Sequence, residues 1–243
     1  MVCLTLIFSA SVTARGSELT LSPEDRLLVI RTLTPLGDGG TIENRGSGVR
    51  LGGYYLTVYH NLDPRFRAHR VGEPLGRSYL GQEPVSALIA DPDSDIAILR
   101  LPTAICGADC TARPRAAQRL PELGETVRWF LGAADSPSGR EGWQSGHILS
   151  RTLNRPSRRG TGGSDADDCS AGLVFEVSTP FIPGSSGTAV WSVDGELLGI
   201  GQGSYEREGG PETGYFRPWR CIQDRWPVDL VGISSPSTGS VVP

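Results

Sequence analysis

Residues 178–191 read STPFIPGSSGTAVW and form a sharp turn between two apolar segments. An apolar alternation over residues 173–177 leads into it and predicts a strand. The Pro-Gly-Ser-Ser turn at residues 183–186 cannot continue that strand, and a second apolar alternation over residues 189–193 leads out. The chain therefore presents small polar side chains at a tight corner between two strands. A serine at such a corner is a nucleophile only if a base reaches its hydroxyl and N–H groups face the oxyanion.

Candidates for the base and for its carboxylate partner both occur upstream of this turn. Residues 46–62 predict two short strands joined at glycines, with His60 at the end of the second. Asp95 directly precedes an apolar run over residues 96–101. His60, Asp95 and Ser186 therefore follow one of the known chain orders of a catalytic triad.

Three motifs together resemble the trypsin-like serine peptidases of the chymotrypsin fold, and in particular their bacterial HtrA (Deg) branch. They are GSGV at 46–49 followed by LTVYH at 56–60, SDIAIL at 94–99, and PGSSG at 183–187. The resemblance covers roughly residues 25–215. It implies an all-β fold of two six-stranded antiparallel β-barrels, with the active site in the cleft between them.

The resemblance also implies a role for each residue of the site. His60 is the general base, Asp95 orients it, and Ser186 is the nucleophile of a serine endopeptidase. The backbone N–H groups of Gly184 and Ser186 form the oxyanion hole. In the family the acid directly precedes its strand, which favours Asp95 over its neighbour Asp93, and equally over Asp91.

Two positions depart from the commoner pattern of the family. Ser185 stands where zymogen-type members have an acid that pairs with a freed N-terminus, so that activation route is absent. Thr188 stands where the commoner motif has a second glycine.

The substrate site is implied by the same resemblance. Pro180, six residues before the nucleophile, lies at the base of the primary pocket, and the absence of an acid there argues against a preference for Arg or Lys. We expect an uncharged, small or medium apolar P1 residue. Ile200, Gly201 and Gly203 lie on the strand that pairs with the substrate backbone.

The composition favours an all-β chain, because 32 glycines and 18 prolines accompany few helical periodicities. Asp194-Gly195 between two apolar runs predicts a type I′ hairpin turn. The net charge of −4 provides no basic field for nucleic acid, and all 23 basic residues are arginine. We expect a polypeptide substrate, no cofactor, no nucleic-acid partner and, by default, a monomer.

The N-terminal segment predicts export from the cell. Residues 1–14 combine an apolar run with small residues suited to signal-peptide cleavage, although a mis-assigned start or a first strand is the alternative. No other run approaches the ~20 apolar residues of a membrane span. We expect a secreted or periplasmic bacterial protein with no PDZ-like domain after the protease unit. Its parts are an arm at 15–24, the barrel of His60 and Asp95 at 25–112, the barrel of Ser186 with a short C-terminal helix at 113–232, and a tail at 233–243.

The cysteines agree with export. Removal of the leader with Cys3 leaves an even set, for which we expect Cys106 to pair with Cys110 and Cys169 with Cys221. A zinc site is the rival interpretation, but Cys-x3-Cys lacks a second nearby pair. Acidic residues over 165–168 could bind calcium, although they lack the spacing of a known loop, so we expect no metal.

Three other roles compete with that of a peptidase. A pseudo-peptidase would keep the fold and bind polypeptides through the cleft without catalysis. An esterase of the α/β-hydrolase type would need Gly-x-Ser-x-Gly with the histidine last, whereas here the motif ends in Thr188 and the histidine comes first. A secreted β-protein without activity would use the same fold.

Overall fold

The computed structural model describes residues 27–35, 39–63, 76–106, 113–132, 142–153, 169, 172–206 and 210–226. The predicted leader, arm and tail lie outside these residues, as do Cys110 and the acidic residues at 165–168. The described residues form two antiparallel sheets and two short helices, which agrees with the all-β prediction.

The first sheet has seven strands in the order β5-β4-β1-β2-β3-β7-β6. Residue Ser86 alone separates β5 from β6, yet β5 pairs with β4 at one edge and β6 with β7 at the other. The sheet therefore curls so that its edge strands β5 and β6 adjoin at Ser86, and it has seven strands where six were predicted. The strands are β1 (Leu27–Pro35), β2 (Thr41–Leu51), β3 (Tyr54–Thr57), β4 (Arg77–Leu80), β5 (Glu83–Val85), β6 (Ala87–Asp91) and β7 (Ile96–Arg100).

The second sheet is a closed six-stranded barrel in the order β10-β13-β12-β11-β8-β9. Alternating apolar residues point inward and bury Trp129, Phe175 and Phe216 in its centre. The double-barrel architecture predicted from the motifs is confirmed. The strands are β8 (Thr126–Leu131), β9 (Gly142–Leu153), β10 (Leu173–Val177), β11 (Ala189–Ser192), β12 (Leu197–Glu206) and β13 (Glu212–Pro218).

The hairpin that joins β11 to β12 differs from the predicted type I′ turn. A type I′ turn needs positive φ at both central residues, but of Asp194 and Gly195 only Gly195 has one, at +79°. The Gly195 N–H donates to the Ser192 carbonyl at 3.1 Å, and the Ser192 N–H donates to the Glu196 carbonyl at 2.9 Å. The prediction of turn type is therefore wrong, because a three-residue loop closed by one left-handed glycine makes the same connection.

A shared apolar cluster holds the two sheets against each other. From the first sheet it takes Leu56 and Ile98, and from the second it takes Trp191 and Ile200. Two residues of the helix α2 (Trp219–Arg225), Trp219 and Ile222, join the same cluster. A four-residue helix, α1 (Thr103–Cys106), ends the first sheet. The site described below lies where loops of the two sheets meet.

Candidate active site

His60 and Asp95 form a two-point contact within the first sheet. His60 lies in a 3-10 turn (Tyr59–Asn61) after β3, and Asp95 lies immediately before β7. The His60 ring Nδ1 lies 2.8 Å from Asp95 Oδ2, and the His60 backbone N–H donates to Asp95 Oδ1 at 3.0 Å. The side chains are 26% and 11% exposed. A carboxylate on Nδ1 favours the tautomer whose Nε2 carries the lone pair, and this is the form that can accept a proton.

The backbone of Asp95 is unusual, because Asp95 is the one non-glycine residue with positive φ, +54°, among those described. Aspartate tolerates this left-handed conformation better than most residues. The carboxylate of Asp91 has other partners: its Oδ1 accepts the N–H groups of Asp93 and Ser94, and its Oδ2 pairs with Arg225 at 2.7 Å. Of the three acids in this turn, the structure brings Asp95 to His60.

The turn before Ser186 has the geometry that its sequence demands. The Ser185 N–H donates to the Ile182 carbonyl at 3.0 Å, and Gly184 has φ +92°. This is a type II turn, in which Pro183 suits the second position and glycine the third. The turn sets the direction of the Gly184 N–H. Within the described part of the chain, the N–H groups of Gly184 and Ser186 have no hydrogen-bond acceptor.

The Ser186 hydroxyl donates to the Gln202 carbonyl at 3.5 Å, so among the described residues its acceptor is on β12 and not on His60. Ser186 is nevertheless next to His60, because Asn61 Nδ2 donates to the Ser186 carbonyl at 2.8 Å. Activation of Ser186 requires that its hydroxyl donate to the imidazole instead.

Two residues of the first sheet hold the serine turn, and sequence reasoning had given neither a role. The Ser47 N–H donates to the Ser186 carbonyl at 2.8 Å, and the Ser47 hydroxyl donates to the Gly184 carbonyl at 3.0 Å. Asn61 adds the contact described above. In the sequence, Ser47 was marked only by its place in the GSG motif, and Asn61 only by its place next to His60. A Cβ at Gly187, where φ is +92°, would overlap the Ser47 carbonyl oxygen, so this close approach requires glycine.

Thr188, the departure from the commoner motif, fits without touching the serine hydroxyl. It is buried, and its hydroxyl donates to the Phe130 carbonyl on β8 at 3.0 Å. Its carbonyl accepts the Gly201 N–H at 2.8 Å. Threonine therefore satisfies its own polar groups at this position.

The predicted substrate strand is only partly available. Ile200 is buried in the cluster between the sheets and is paired on both sides, with β11 and with β13. The Gly201 N–H and carbonyl both bond to the serine turn, the latter accepting the Gly187 N–H at 2.7 Å. Gly203 pairs with Tyr215 on β13. A candidate pairing edge for a substrate therefore begins after Gly201.

Phe181, next to the predicted pocket residue Pro180, was missed by sequence reasoning. Its side chain is 4% exposed and packs on Trp129 with ring centroids 4.7 Å apart. A Cβ at Gly201 or at Gly214 would come within 2.8 Å or 2.7 Å of the Phe181 ring. The ring therefore fills the space between these two glycines.

The described cysteines are disulfide-bonded. Cys169 and Cys221 form a disulfide, while Cys106 is disulfide-bonded and its predicted partner Cys110 lies outside the described residues. No cluster of three or more potential metal ligands occurs in the described segments. Nor does any helix there have the length and apolar character to cross a membrane.

Comparisons with known proteins agree with this architecture. Two solved structures of the Rv3671c protease from M. tuberculosis each share 19% identity over 83% of this chain: the active form, with TM-score 0.55 and 79% of its chain covered, and the inactive form, with TM-score 0.54 and 87% covered. The HtrA-type protease AlgW with tripeptide gives 16% identity and TM-score 0.57, over 86% of this chain and 64% of its own. At these identities the likeness shows the fold alone, and a search of curated proteins finds no match. The trypsin-like peptidase domain family matches residues 46–200, more than half of the chain, and the chain therefore belongs to that family.

Proposed function

We propose that the protein is a serine endopeptidase that cleaves polypeptides through an acyl-enzyme intermediate. One observation carries the proposal: the His60–Asp95 pair lies beside a serine turn whose Gly184 and Ser186 N–H groups have no acceptor among the described residues. A base, an orienting carboxylate, a hydroxyl and two free donors are what acyl transfer needs.

The reaction proceeds in two halves. The Ser186 hydroxyl, turned from the Gln202 carbonyl, loses its proton to His60 Nε2 as its oxygen attacks the scissile carbonyl carbon. The oxyanion accepts hydrogen bonds from the N–H groups of Gly184 and Ser186. Each such donor stabilises the transition state by roughly 2.7–4 kcal/mol. The C–N bond then breaks while His60 returns the proton to the leaving amine. In the second half, water attacks the acyl ester and gives a proton to His60. The bond between the acyl carbon and the Ser186 oxygen then breaks, and His60 returns the proton to that oxygen as the acid leaves.

Features of β12 and of Phe181 support the proposed substrate class. An extended peptide can pair with β12 from Gln202 and Gly203 onward, where β12 no longer pairs with β11. Phe181 leaves little depth beside Gly201 and Gly214, which supports the preference for a small or medium uncharged P1 side chain. The protein acts outside the cytoplasm, as the disulfide and the predicted leader suggest.

A second candidate is a pseudo-peptidase that binds polypeptides without cleaving them. The observation that favours it is the Ser186 hydroxyl on the Gln202 carbonyl, because a serine held there is not activated. This candidate differs from the first only in whether the hydroxyl reaches His60.

Fluorophosphonate labelling of the oxidised protein separates the two candidates. We expect an adduct on Ser186, located by mass spectrometry, that disappears in Ser186→Ala and in His60→Ala. Ser145→Ala, at an exposed serine of β9, serves as the matched control and should label like the wild type. Peptide binding without any adduct, in protein shown by circular dichroism to be folded, would replace the peptidase with the pseudo-peptidase.

A further inference from the structure

Gln202 is a buried amide on β12, at the border between the two sheets. It is 2% exposed. The pairing of β12 with β13 shifts register between Gly201 and Gly203, so Gln202 is the extra residue of a β-bulge. Bulges redirect side chains, and they are common beside active sites. Here the bulge directs the Gln202 side chain out of its own barrel and toward the first sheet.

The Gln202 amide binds the backbone of the turn that carries the candidate acid. Its Nε2 donates to the Ser94 carbonyl at 2.7 Å and lies 3.4 Å from the Asp95 carbonyl. The orientation of the amide is determined by these partners, because the opposite flip would place Oε1 against two carbonyl oxygens. One residue thus contacts Asp95 with its side chain and the Ser186 hydroxyl with its own carbonyl.

The hydrogen bond between Gln202 and Ser94 comes with two buried polar atoms that have no partner of their own among the described residues. Gln202 Oε1 and the Ser94 hydroxyl are buried and have no hydrogen-bond partner among the described residues. Burying an unsatisfied polar atom is unfavourable, and an apolar side chain of similar length would avoid it. The turn that Gln202 holds also contains the left-handed Asp95, and contacts to the backbone of that turn favour this conformation over the commoner ones.

We propose that Gln202 is a positioning residue that holds Asp95 in its left-handed conformation, so that both carboxylate oxygens face His60. It acts through the backbone of the acid and does not touch the substrate with its amide. The inference rests on the proposed peptidase function, since it assigns Gln202 a part in assembling that site. It also makes the acid of the first sheet dependent on the strand next to the nucleophile in the second.

Two variants test the two halves of the contact. Gln202→Met keeps the length of the side chain and removes its amide donor. Gln202→Asn keeps an amide donor on a side chain too short to contact the Ser94 carbonyl. The concentration of active sites is titrated with fluorophosphonate, and kcat is expressed per active site. We expect each Gln202 variant to lower kcat by about 5- to 10-fold, with KM within about 2-fold of the wild type. The control Gln144→Met makes the same substitution at a half-buried residue of β9, and it should leave kcat and KM unchanged.

A spectroscopic readout accompanies the kinetics and needs no turnover. The proton between His60 Nδ1 and Asp95 gives a downfield proton NMR signal, identified by its absence in His60→Ala. We expect this signal to move or broaden in both Gln202 variants and to stay in place in Gln144→Met. If the wild type labels and both variants keep their kcat and the signal, the proposal is overturned. If the wild type does not label, the peptidase function fails, and the signal alone decides the role of Gln202.

Discussion

At the scale of single residues, the chemistry depends on how Asp95 faces His60. Asp95→Asn replaces an acceptor of the Nδ1 proton with an amide that can donate to it, which selects the wrong tautomer. We expect kcat to fall by on the order of 10⁴-fold with little change in stability. Asp93→Asn, at an exposed position two residues away, is the control and should keep full activity. Equal losses of kcat in the two variants would contradict the assignment of Asp95 as the acid.

Gly187 provides a second residue-scale prediction. Gly187→Ala adds a methyl group that overlaps the Ser47 carbonyl, in addition to the strain of an alanine at φ +92°. Gly195→Ala introduces similar strain at φ +79° with nothing within 4 Å, and should cost only about 1–2 kcal/mol of unfolding free energy. We expect Gly187→Ala to cost more than this in urea unfolding and to abolish labelling of Ser186. Identical behaviour of the two variants would rule out the close approach of Ser47.

At the scale of elements, the segment before the serine turn places the Phe181 ring between Gly201 and Gly214, beside the proposed P1 pocket. Phe181→Leu removes part of the ring that lies against Gly201 and Gly214, and the added space should admit larger side chains. We expect the ratio of kcat/KM for substrates with P1 Phe over P1 Ala to rise by about 10-fold or more, which corresponds to about 1.4 kcal/mol. Phe216→Leu, in the core of the same barrel, should leave the ratio unchanged. An unchanged ratio in Phe181→Leu would place the P1 pocket elsewhere.

The loop before β8 has a pH-dependent contact. Hydrogen bonds from Arg119 to both oxygens of Glu125, at 2.7 and 2.9 Å, lower the pKa of that carboxyl below its ordinary value of 4.5. A depressed folded-state pKa stabilises the protein above about pH 4.5, and this contribution is lost as the pH falls through the lower folded value. The pair is partly exposed, so we expect Glu125→Gln to cost no more than about 1 kcal/mol at pH 7.

The measurement for this contact is urea unfolding from pH 7 to pH 3. The difference in unfolding free energy between the wild type and Glu125→Gln should shrink below pH 4.5. Glu122→Gln, at the exposed neighbouring acid, should show a smaller difference at all pH values. A difference that grows toward acid would contradict the assigned sign.

At the scale of the whole molecule, the site exists only when the two sheets are docked. His60 and Asp95 come from the first sheet and Ser186 from the second, and the apolar cluster of Leu56, Ile98, Trp191 and Ile200 lies between them. Helix α2 contributes to the same cluster and binds the Asp91 side chain through Arg225. Loosening α2 should therefore affect the turn of Asp95 as well as the barrel.

The disulfide between Cys169 and Cys221 anchors α2, and its contribution to stability can be measured. Cys169 and Cys221 are separated by 52 residues, and closing a loop of this length stabilises a protein by about 4 kcal/mol in the chain-entropy description. We expect Cys169→Ala with Cys221→Ala to lower the unfolding free energy by roughly this amount, measured by urea unfolding without reductant. A loss below about 1 kcal/mol would mean that the packing of α2 suffices without the bond.

Much of this molecule could be predicted from local patterns. The alternations around residues 173–177 and 189–193 became β10 and β11, and the three motifs correctly indicated the family and the double barrel. The type I′ turn at Asp194-Gly195 was wrong because that dipeptide is also compatible with a three-residue loop, and the register of the flanking strands chooses between them. The roles given to His60, Asp95 and Ser186 stay predictions, although the structure brings the three residues together.

The positions of strands and the residue types at their ends can be predicted locally, because apolar alternation and turn chemistry act over a few neighbouring residues. The contacts that hold the site depend on tertiary structure. The contacts of Gln202 with Ser94, Asn61 with Ser186 and Ser47 with Gly184 span 108, 125 and 137 residues. Polar contacts of this kind leave no periodic pattern in the chain. They form only after the apolar faces of the two sheets have been buried against each other, which brings side chains distant in sequence within hydrogen-bond reach.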